Sequence, residues 1–174
     1  MMFGLSALIW IGTAAIAFVV MEYWARWVHN RVWHGALYSM HHSHHSPRGK
    51  WEWNDILSAS HAPISIALIL YGCWAQQSLL SVMSFGFGVG MACFGMAYVI
   101  VHDGVVHGRL PVQFLRKIPA LAAIRRAHRI HHATGEAPYG LFLGPQELEQ
   151  QLQGDRRGTR LPARDELSMD HDLL

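Results

Sequence analysis

The chain has 174 residues, of which 51% are hydrophobic and 15% are charged, and its formal net charge at pH 7 is +2. Soluble domains carry about 25% charged residues, so this composition argues against a soluble domain and favours a single-domain membrane protein. The small net charge gives no indication of nucleic-acid binding. Thirteen histidines stand against two cysteines, so a metal site must use imidazole and carboxylate ligands instead of thiolates.

Three apolar runs are long enough to cross a membrane, at residues 3–21, 56–75 and 79–101. At about 1.5 Å per residue, helices of this length cover a hydrocarbon core of about 30 Å. The first run is followed by Glu22 and Tyr23 without a small-residue cleavage site, so we read it as a retained anchor. The sequence therefore predicts an all-α integral membrane protein with about three transmembrane helices, four being the alternative.

The basic residues predict the orientation of these helices. All fourteen Lys and Arg residues lie between Arg26 and Lys50 or from Arg109 onward, and such residues concentrate on the cytoplasmic side. Three spans then put the N-terminus outside, and a histidine-rich helical cap and the C-terminus in the cytoplasm. The chain begins without a long targeting extension, so we expect the inner membrane of a bacterium.

Ten of the histidines follow a spacing that occurs twice along the chain. The two halves read His29-x4-His34 with His41-x2-His44-His45, and His102-x4-His107 with His128-x2-His131-His132. One metal ion usually holds about four to six ligands, so ten imidazoles imply two metal ions. Imidazole suits iron, zinc, copper or nickel, and the spacing does not choose among them.

The spacing also predicts how these side chains are presented. Histidines at i, i+3 and i+4 share one helix face within an arc of about 100°, and His42 falls beside that arc. The i, i+5 pairs are different, because a straight α-helix holds them about 140° apart. These pairs either serve different metals or straddle a helix end or a kink.

Neutral imidazoles leave the charge of a metal uncompensated, so carboxylates are expected behind them, where they also orient the rings. Glu52, Asp55 and Asp103 are candidates, with Asp103 the best placed because it follows His102. Asn54 is expected with them.

Other residues within the spans have structural interpretations. We expect His61 to make a helix–helix hydrogen bond, with a functional role as the alternative. Gly86 and Gly90 predict close helix packing, and Cys73 and Cys93 are expected in the core. Residues 1–145 form the predicted membrane domain, and residues 146–174 a polar tail that begins as a helix and becomes disordered.

Five stretches resemble those of one enzyme family. They read His29-Asn-Arg-Val-Trp-His34-Gly, His41-His-Ser-His44-His45-Ser-Pro, Trp53-Asn54-Asp55, His102-Asp-Gly-Val-Val-His107 and Ala127-His128-Arg-Ile-His131-His132-Ala. Their order, spacing and flanking residues resemble the bacterial β-carotene hydroxylases of the membrane fatty-acid hydroxylase superfamily. The resemblance runs from about Val28 to Gly144.

This resemblance implies a non-haem di-iron centre held by the ten histidines, with O2 as oxidant and electrons from a reduced ferredoxin or similar donor. It implies hydroxylation of the β-ionone rings of β-carotene at carbon 3, giving zeaxanthin through β-cryptoxanthin, with the carotenoids taken from the lipid bilayer. The alternative is a related oxygenase or desaturase, such as a carotenoid ketolase or a fatty acyl or sterol hydroxylase. A metal transporter is disfavoured, because its ligands would lie at mid-membrane.

Overall fold

A computed structural model describes residues 2–46, 51–75 and 78–158 of the chain. Within these ranges the α-helices are α1 (Met2–Val28), α2 (Tyr38–His45), α3 (Trp53–Ala59), α4 (Ala62–Trp74), α5 (Leu79–Tyr98), α6 (Pro119–Thr134) and α7 (Gly144–Gly158). Two π-helical segments, His29–Ala36 and Val99–Val106, continue α1 and α5, and a 3-10 turn, Gln113–Lys117, precedes α6. The described residues contain no β-strand, so the all-α prediction is confirmed for them.

Among the described residues, three helical stretches are long and apolar enough to cross a membrane: Leu5–Ala36, Trp53–Trp74 and Leu79–Val106. Their large apolar side chains face outward, and Leu8, Leu70 and Met96 are 61% to 71% exposed. A continuous apolar surface of this kind fits contact with lipid and not with water. The predicted class of integral membrane protein is therefore confirmed, and the part of the chain that the structure describes contains three helical stretches fit to be spans.

The two cysteines lie on this outer surface. Cys73 on α4 and Cys93 on α5 are both exposed, so the expectation that they pack in the core is wrong. The physical reason is that lipid-facing and core positions of a span are both apolar. An apolar run therefore does not tell which side of the helix a residue occupies.

Glycines allow α5 to approach its two neighbours, α1 and α4. A Cβ atom at Gly86 would meet the Trp10 carbonyl oxygen, and one at Gly90 would meet the Ala14 carbonyl oxygen. Facing α4, Gly88 accepts a hydrogen bond of 2.8 Å from Ser65 Oγ through its carbonyl oxygen. The predicted close packing through Gly86 and Gly90 is confirmed, and it brings the ends of α1 and α5 side by side.

The two π-helical segments resolve the unusual histidine spacing. In a π-helix each hydrogen bond spans five residues, so residues at i and i+5 lie on one face. The His107 amide donates to the His102 carbonyl oxygen at 3.0 Å, and the Leu37 amide donates to the Val32 carbonyl oxygen at 2.8 Å. Each i, i+5 histidine pair therefore lies on a π-helical turn and not on a straight α-helix, where its two side chains would diverge. The first of these turns also ends in a kink at Gly35.

The predicted polar tail begins in α7, which extends to Gly158. The disorder predicted further on, and His171, fall at residues 159–174, which lie outside the described residues.

Glycine-to-alanine substitutions test the helix contacts. Alanine normally stabilises an exposed helix interior relative to glycine by about 0.5–1 kcal/mol. At Gly90 the new methyl group would lie 2.7 Å from the Ala17 side chain, and overpacking of this kind costs about 1–3 kcal/mol. We expect Gly90→Ala to lower the midpoint of thermal unfolding in detergent.

The matched control is Gly12→Ala on α1, where no atom lies within 4 Å of the added carbon. This control should leave the midpoint unchanged or raise it. Equal effects of the two substitutions would contradict the packing role of Gly90.

Candidate metal centre

The predicted histidines converge beyond the ends of α1 and α5 and on α2 and α6. Nine of them form two groups, and within each group one ring nitrogen of every member lies within 4.8 Å of those of the others. The first cluster is His29, His34, His41, His45 and His131, and the second cluster is His44, His107, His128 and His132. The tenth, His102, is buried against the second cluster.

In the first cluster the ring nitrogens are spaced as ligands of one ion would be. The Nε2 atom of His41 lies 3.0 Å from that of His29 and 3.2 Å from that of His45. The Nε2 atoms of His34 and His131 lie 3.1 Å apart. Two nitrogens that bind one metal at about 2.1 Å and at right angles lie about 3 Å apart. The donor set therefore fits a metal ion without rearrangement.

The second cluster has the same spacing. The Nε2 atom of His128 lies 3.2 Å from that of His107 and 2.9 Å from that of His132. The ring centroid of His102 lies 4.6 Å from that of His107 and 4.7 Å from that of His44. The buried Nε2 atom of His44 has no hydrogen-bond partner among the described residues. A metal ion is the natural partner for such an atom.

Each half of the chain contributes one histidine to the cluster formed mainly by the other half. His44 from α2 joins the second cluster, and His131 from α6 joins the first. Helix geometry allows this exchange, because the residue at i+3 and the residue at i+4 lean to opposite sides of i, and the packing of α2 against α6 decides which cluster each one joins. The rings of His45 and His132 stack at 4.3 Å between centroids, so the two clusters adjoin.

The tautomers of several rings are set by acceptors behind them. His29 Nδ1 donates to the Tyr139 carbonyl oxygen at 2.8 Å, and His41 Nδ1 donates to Asn54 Oδ1 at 2.7 Å. A neutral ring that donates through Nδ1 has a lone pair at Nε2. Two lone pairs therefore face each other at 3.0 Å between His29 and His41. This contact is repulsive unless a cation lies between them.

Burial keeps the imidazoles outside the spans uncharged. It lowers the pKa of His41 to about 3, of His107 to about 3 and of His131 to about 4. It also holds the pKa of His128 well below its usual range. These rings are neutral at pH 7, which is the form that binds metals.

Three of the four side chains predicted to support the histidines contact a histidine ring directly. Asn54 contacts His41, and Asp103 Oδ1 accepts from His102 Nδ1 at 2.7 Å. Glu52, the third candidate carboxylate, accepts from His44 Nδ1 at 2.8 Å. Partners of this kind orient metal ligands and raise their basicity.

Asp55 is placed differently. Both its carboxylate oxygens accept from Arg109 at 2.8 Å, and one of them also accepts from the Glu52 amide at 3.1 Å. Asp55 thereby supports the segment that carries Glu52. The guanidinium of Arg109 also lies 3.9 Å from Asp103, so this one arginine links Asp55 with Asp103.

Two partners of the first cluster are backbone carbonyl groups that the sequence analysis missed. His29 is held by the Tyr139 carbonyl, and His131 Nδ1 donates to the Glu136 carbonyl oxygen at 2.7 Å. The Tyr139 ring also lies 5.3 Å from the ring of His34. Every residue has a carbonyl group, so no residue type marks these positions in the sequence.

The two remaining histidines of the membrane domain lie outside both clusters. His42 is exposed on α2, beside the ligand face as predicted. His61 precedes α4, and its Nε2 atom accepts a hydrogen bond of 2.7 Å from Trp24 Nε1 on α1. The predicted helix–helix hydrogen bond of His61 is confirmed.

An apolar cavity of about 830 Å³ lies between α1, α4 and α5. Its apolar wall includes Met21, Ile69, Met91 and Phe94, and polar groups stand at Asp55, His61, Asp103 and Arg109. Two aromatic side chains that line it also touch the histidines. Tyr98 stacks on His102 at 4.7 Å between centroids, and Trp33 lies 5.5 Å from His29. The cavity thus ends against the two histidine clusters, which together form a cage of imidazoles.

Comparison with known proteins places these features in a family. The family model of the fatty acid hydroxylases matches residues 14–146, which include both clusters. The chain belongs to the fatty acid hydroxylase family. This is a histidine-box iron family, in agreement with the two imidazole clusters. No solved structure matches the chain.

Several proteins that are similar to this chain are named β-carotene hydroxylases. A chloroplastic β-carotene 3-hydroxylase 2 of Arabidopsis thaliana is 45% identical over 151 residues, which are 83% of this chain and 50% of the relative. A chloroplastic β-carotene hydroxylase 2 of Capsicum annuum is 47% identical over 86% of this chain and 47% of the relative. A β-carotene hydroxylase of Pantoea ananas is 35% identical over 90% of this chain and 91% of the relative. The chain spans about half the length of the plant relatives.

Metal binding should be visible as a gain in stability. A ligand that binds only the folded state at about 100 times its Kd stabilises that state by about 2.7 kcal/mol. We expect Fe(II), added without oxygen, to raise the midpoint of thermal unfolding of the purified chain in detergent. A chelator should reverse the shift.

Mg(II) is the matched control ion, because it prefers oxygen ligands and the clusters offer imidazole nitrogen. It should leave the midpoint unchanged. An equal shift with both ions, or none with Fe(II), would count against the two clusters as a metal centre.

Proposed function

We propose that this chain is a carotenoid hydroxylase that adds hydroxyl groups at carbon 3 of the β-ionone rings of β-carotene, giving zeaxanthin through β-cryptoxanthin. The observation that carries the proposal is the position of an apolar cavity against a buried cage of imidazoles. The names of the relatives from plants and from Pantoea ananas support the substrate.

The chemistry requires more than amino-acid side chains. Two irons in the clusters would supply activation of O2, so that one oxygen atom enters a C–H bond while the other leaves as water with two protons and two electrons. The ten histidines are proposed as the ligands: His29, His34, His41, His45 and His131 for one iron, and His44, His102, His107, His128 and His132 for the other. Neutral imidazoles suit iron.

The protein's own residues bind and orient the substrate. A carotene offers no polar group, so only shape and apolar contact can place its ring. The cavity presents Met91 and Phe94 along its wall, and its volume is within the range of about 300–1,000 Å³ that ligand cavities have. In this proposal a ring enters from the bilayer and stops against Tyr98 and Trp33, beside the histidines.

Electrons are proposed to come from a ferredoxin-type donor, and the exposed face of α6 supports this. His128 and His131 point into the cage from one side of α6, while Arg126 and Arg129 are exposed on the helix. Complementary charge steers acidic proteins to basic surfaces. Arg116, another basic residue near this face, donates to the Val105 carbonyl oxygen at 2.7 Å. Its side chain therefore stabilises the second π-helical segment, and we do not include it in the proposed docking surface.

The proposed location is the inner membrane of a bacterium, with the N-terminus outside and the histidine cage in the cytoplasm. The exposed Lys117, Arg126 and Arg129 belong to the segment that carries the cage, and basic residues concentrate on the cytoplasmic side. In this orientation the cage lies at the membrane surface, where anionic lipid headgroups also meet these residues.

The direct test is expression in cells that accumulate β-carotene, followed by chromatography of the pigments. We expect β-cryptoxanthin and then zeaxanthin. His131→Ala should abolish product, because it removes a ligand that is fully buried in the first cluster. We expect the rate of hydroxylation to fall by more than about 100-fold, which is the largest effect usual for removal of a residue that only supports a metal ligand.

His42→Ala is the matched control, since His42 lies on the same helix as three ligands but is exposed. It should retain most of the activity. Persistence of β-carotene with the intact protein in the membrane would overturn the proposed function. Conversion of a ketolated or acyl lipid instead would favour the alternative members of the superfamily.

A second substitution tests the cavity as the substrate site. Gly95 lines the cavity and has no atom within 4 Å of an added Cβ. Gly95→Phe should therefore fill the cavity without distorting the helices. We expect kcat/KM for β-carotene to fall at least about 10-fold, with bound iron unchanged.

Gly12→Phe on α1 is the control, because Gly12 is exposed and also has open space around it. It should leave the rate of hydroxylation unchanged. A Gly95→Phe protein that hydroxylates β-carotene at the original rate would exclude the cavity as the site of the ring.

A further inference from the structure

The loop at residues 136–143, between α6 and α7, covers the first cluster. Its two carbonyl oxygens at Glu136 and Tyr139 accept from the Nδ1 atoms of His131 and His29 at 2.7 and 2.8 Å. These two rings are 0% and 5% exposed. The backbone of the loop therefore fixes the direction in which two of the five Nε2 lone pairs point.

Two buried glutamates, each on a different helix, hold this loop. Glu147, on α7, accepts from the Tyr139 amide at 3.0 Å and from the Gly140 amide at 3.2 Å. Glu22, on α1, accepts from the Leu143 amide at 2.9 Å. The two side chains are 8% and 6% exposed. We call Glu22 and Glu147 the carboxylate pair.

The carboxylate pair approaches the loop backbone closely. A Cβ atom at Gly140 would lie 2.6 Å from Glu147 Oε1 and 3.0 Å from Glu22 Oε1, so a side chain at this position would displace the carboxylate groups from the loop amides. Glu147 Oε1 also forms an ion pair with Arg26 Nε at 2.7 Å. The arginine ties the pair to α1, the helix that leads directly into His29.

Burying two carboxylates at the end of a membrane span is costly. The cost is offset in part by hydrogen bonds from three loop amides, which lie outside the helices and need acceptors, and for Glu147 by the ion pair with Arg26. A neutral side chain of the same size would provide fewer acceptors for these amides. The acceptor oxygens of the two side chains therefore have a specific target, which is the backbone of the 136–143 loop.

We infer that Glu22 and Glu147 are positioning residues for the first cluster: they fix the 136–143 loop so that its Glu136 and Tyr139 carbonyls hold His131 and His29 in the orientation that binds metal. The inference rests on the proposed metal centre. It assigns the two glutamates to one metal only, because the carboxylates of Glu52 and Asp103 stand behind the second cluster.

The test is anaerobic titration of the purified full chain with Fe(II), read as binding isotherms and as Mössbauer spectra. In the unaltered protein we expect two sites per chain, one for each cluster. Glu147→Gln and Glu22→Gln should weaken one site by about 10- to 100-fold, as loss of an outer partner does. The other site and its spectrum should not change.

Two variants serve as matched controls. Glu149→Gln lies on α7 two residues from Glu147 and is exposed, and Gly154→Ala on the same helix has open space around its Cβ. Both should bind Fe(II) at two sites with unchanged affinity. Gly140→Ala, which separates the carboxylate pair from the loop amides without removing a charge, should reproduce the weakening of a single site.

The outcomes separate this inference from the proposed function. If the unaltered chain binds no Fe(II), the metal centre fails and the role of the pair fails with it. If the unaltered chain binds at two sites and the glutamine variants do so with equal affinity, only the positioning role is overturned. Equal weakening of both sites, or loss of the glutamine variants and Gly140→Ala from the membrane, would mean that the pair serves general folding, and would also overturn it.

Discussion

The main physical constraint on this structure is the repulsion between imidazole lone pairs that face one another in a space closed to water. The rest of the structure has to hold the rings in place against it. His29 and His41 point unprotonated nitrogens at each other at 3.0 Å, and burial lowers the pKa of His41 and of the neighbouring His131, so these rings do not take up protons at pH 7. Without a cation such an arrangement costs free energy. Much of what surrounds the cage keeps rings from turning away: carbonyl groups, an amide and carboxylates behind the Nδ1 atoms, and helices held close by glycine.

Much of the fold and of the histidine cage was predictable from the sequence, because these features follow from the spacing of residues along the chain and from composition. The three spans follow from run length, and the gathering of ten histidines follows from spans that return the two halves to one side of a membrane. The face shared by His128, His131 and His132 follows from 3.6 residues per turn. The π-helical turns at His29–Ala36 and Val99–Val106 did not follow, since the i, i+5 spacing fitted a kink or two separate metals equally well.

What the sequence did not predict lies in contacts between distant segments. The exchange of His44 and His131 between the clusters depends on how α2 and α6 face each other, which no local period encodes. The same is true of the carbonyls at Glu136 and Tyr139 and of the pairing of Asp55 with Arg109. The outward position of Cys73 and Cys93 was missed because lipid and core select the same residue types.

The exchange of histidines between the halves has a consequence for how the protein is made. The first cluster lacks His131 until the ribosome has passed the last helix of the cage, and the second cluster has only His44 until the third span is complete. Neither cluster therefore has its full set of imidazoles on a partly synthesised chain. In the proposed metal centre, the complete ligand set of either ion would form only late in biogenesis, after all three spans have been synthesised.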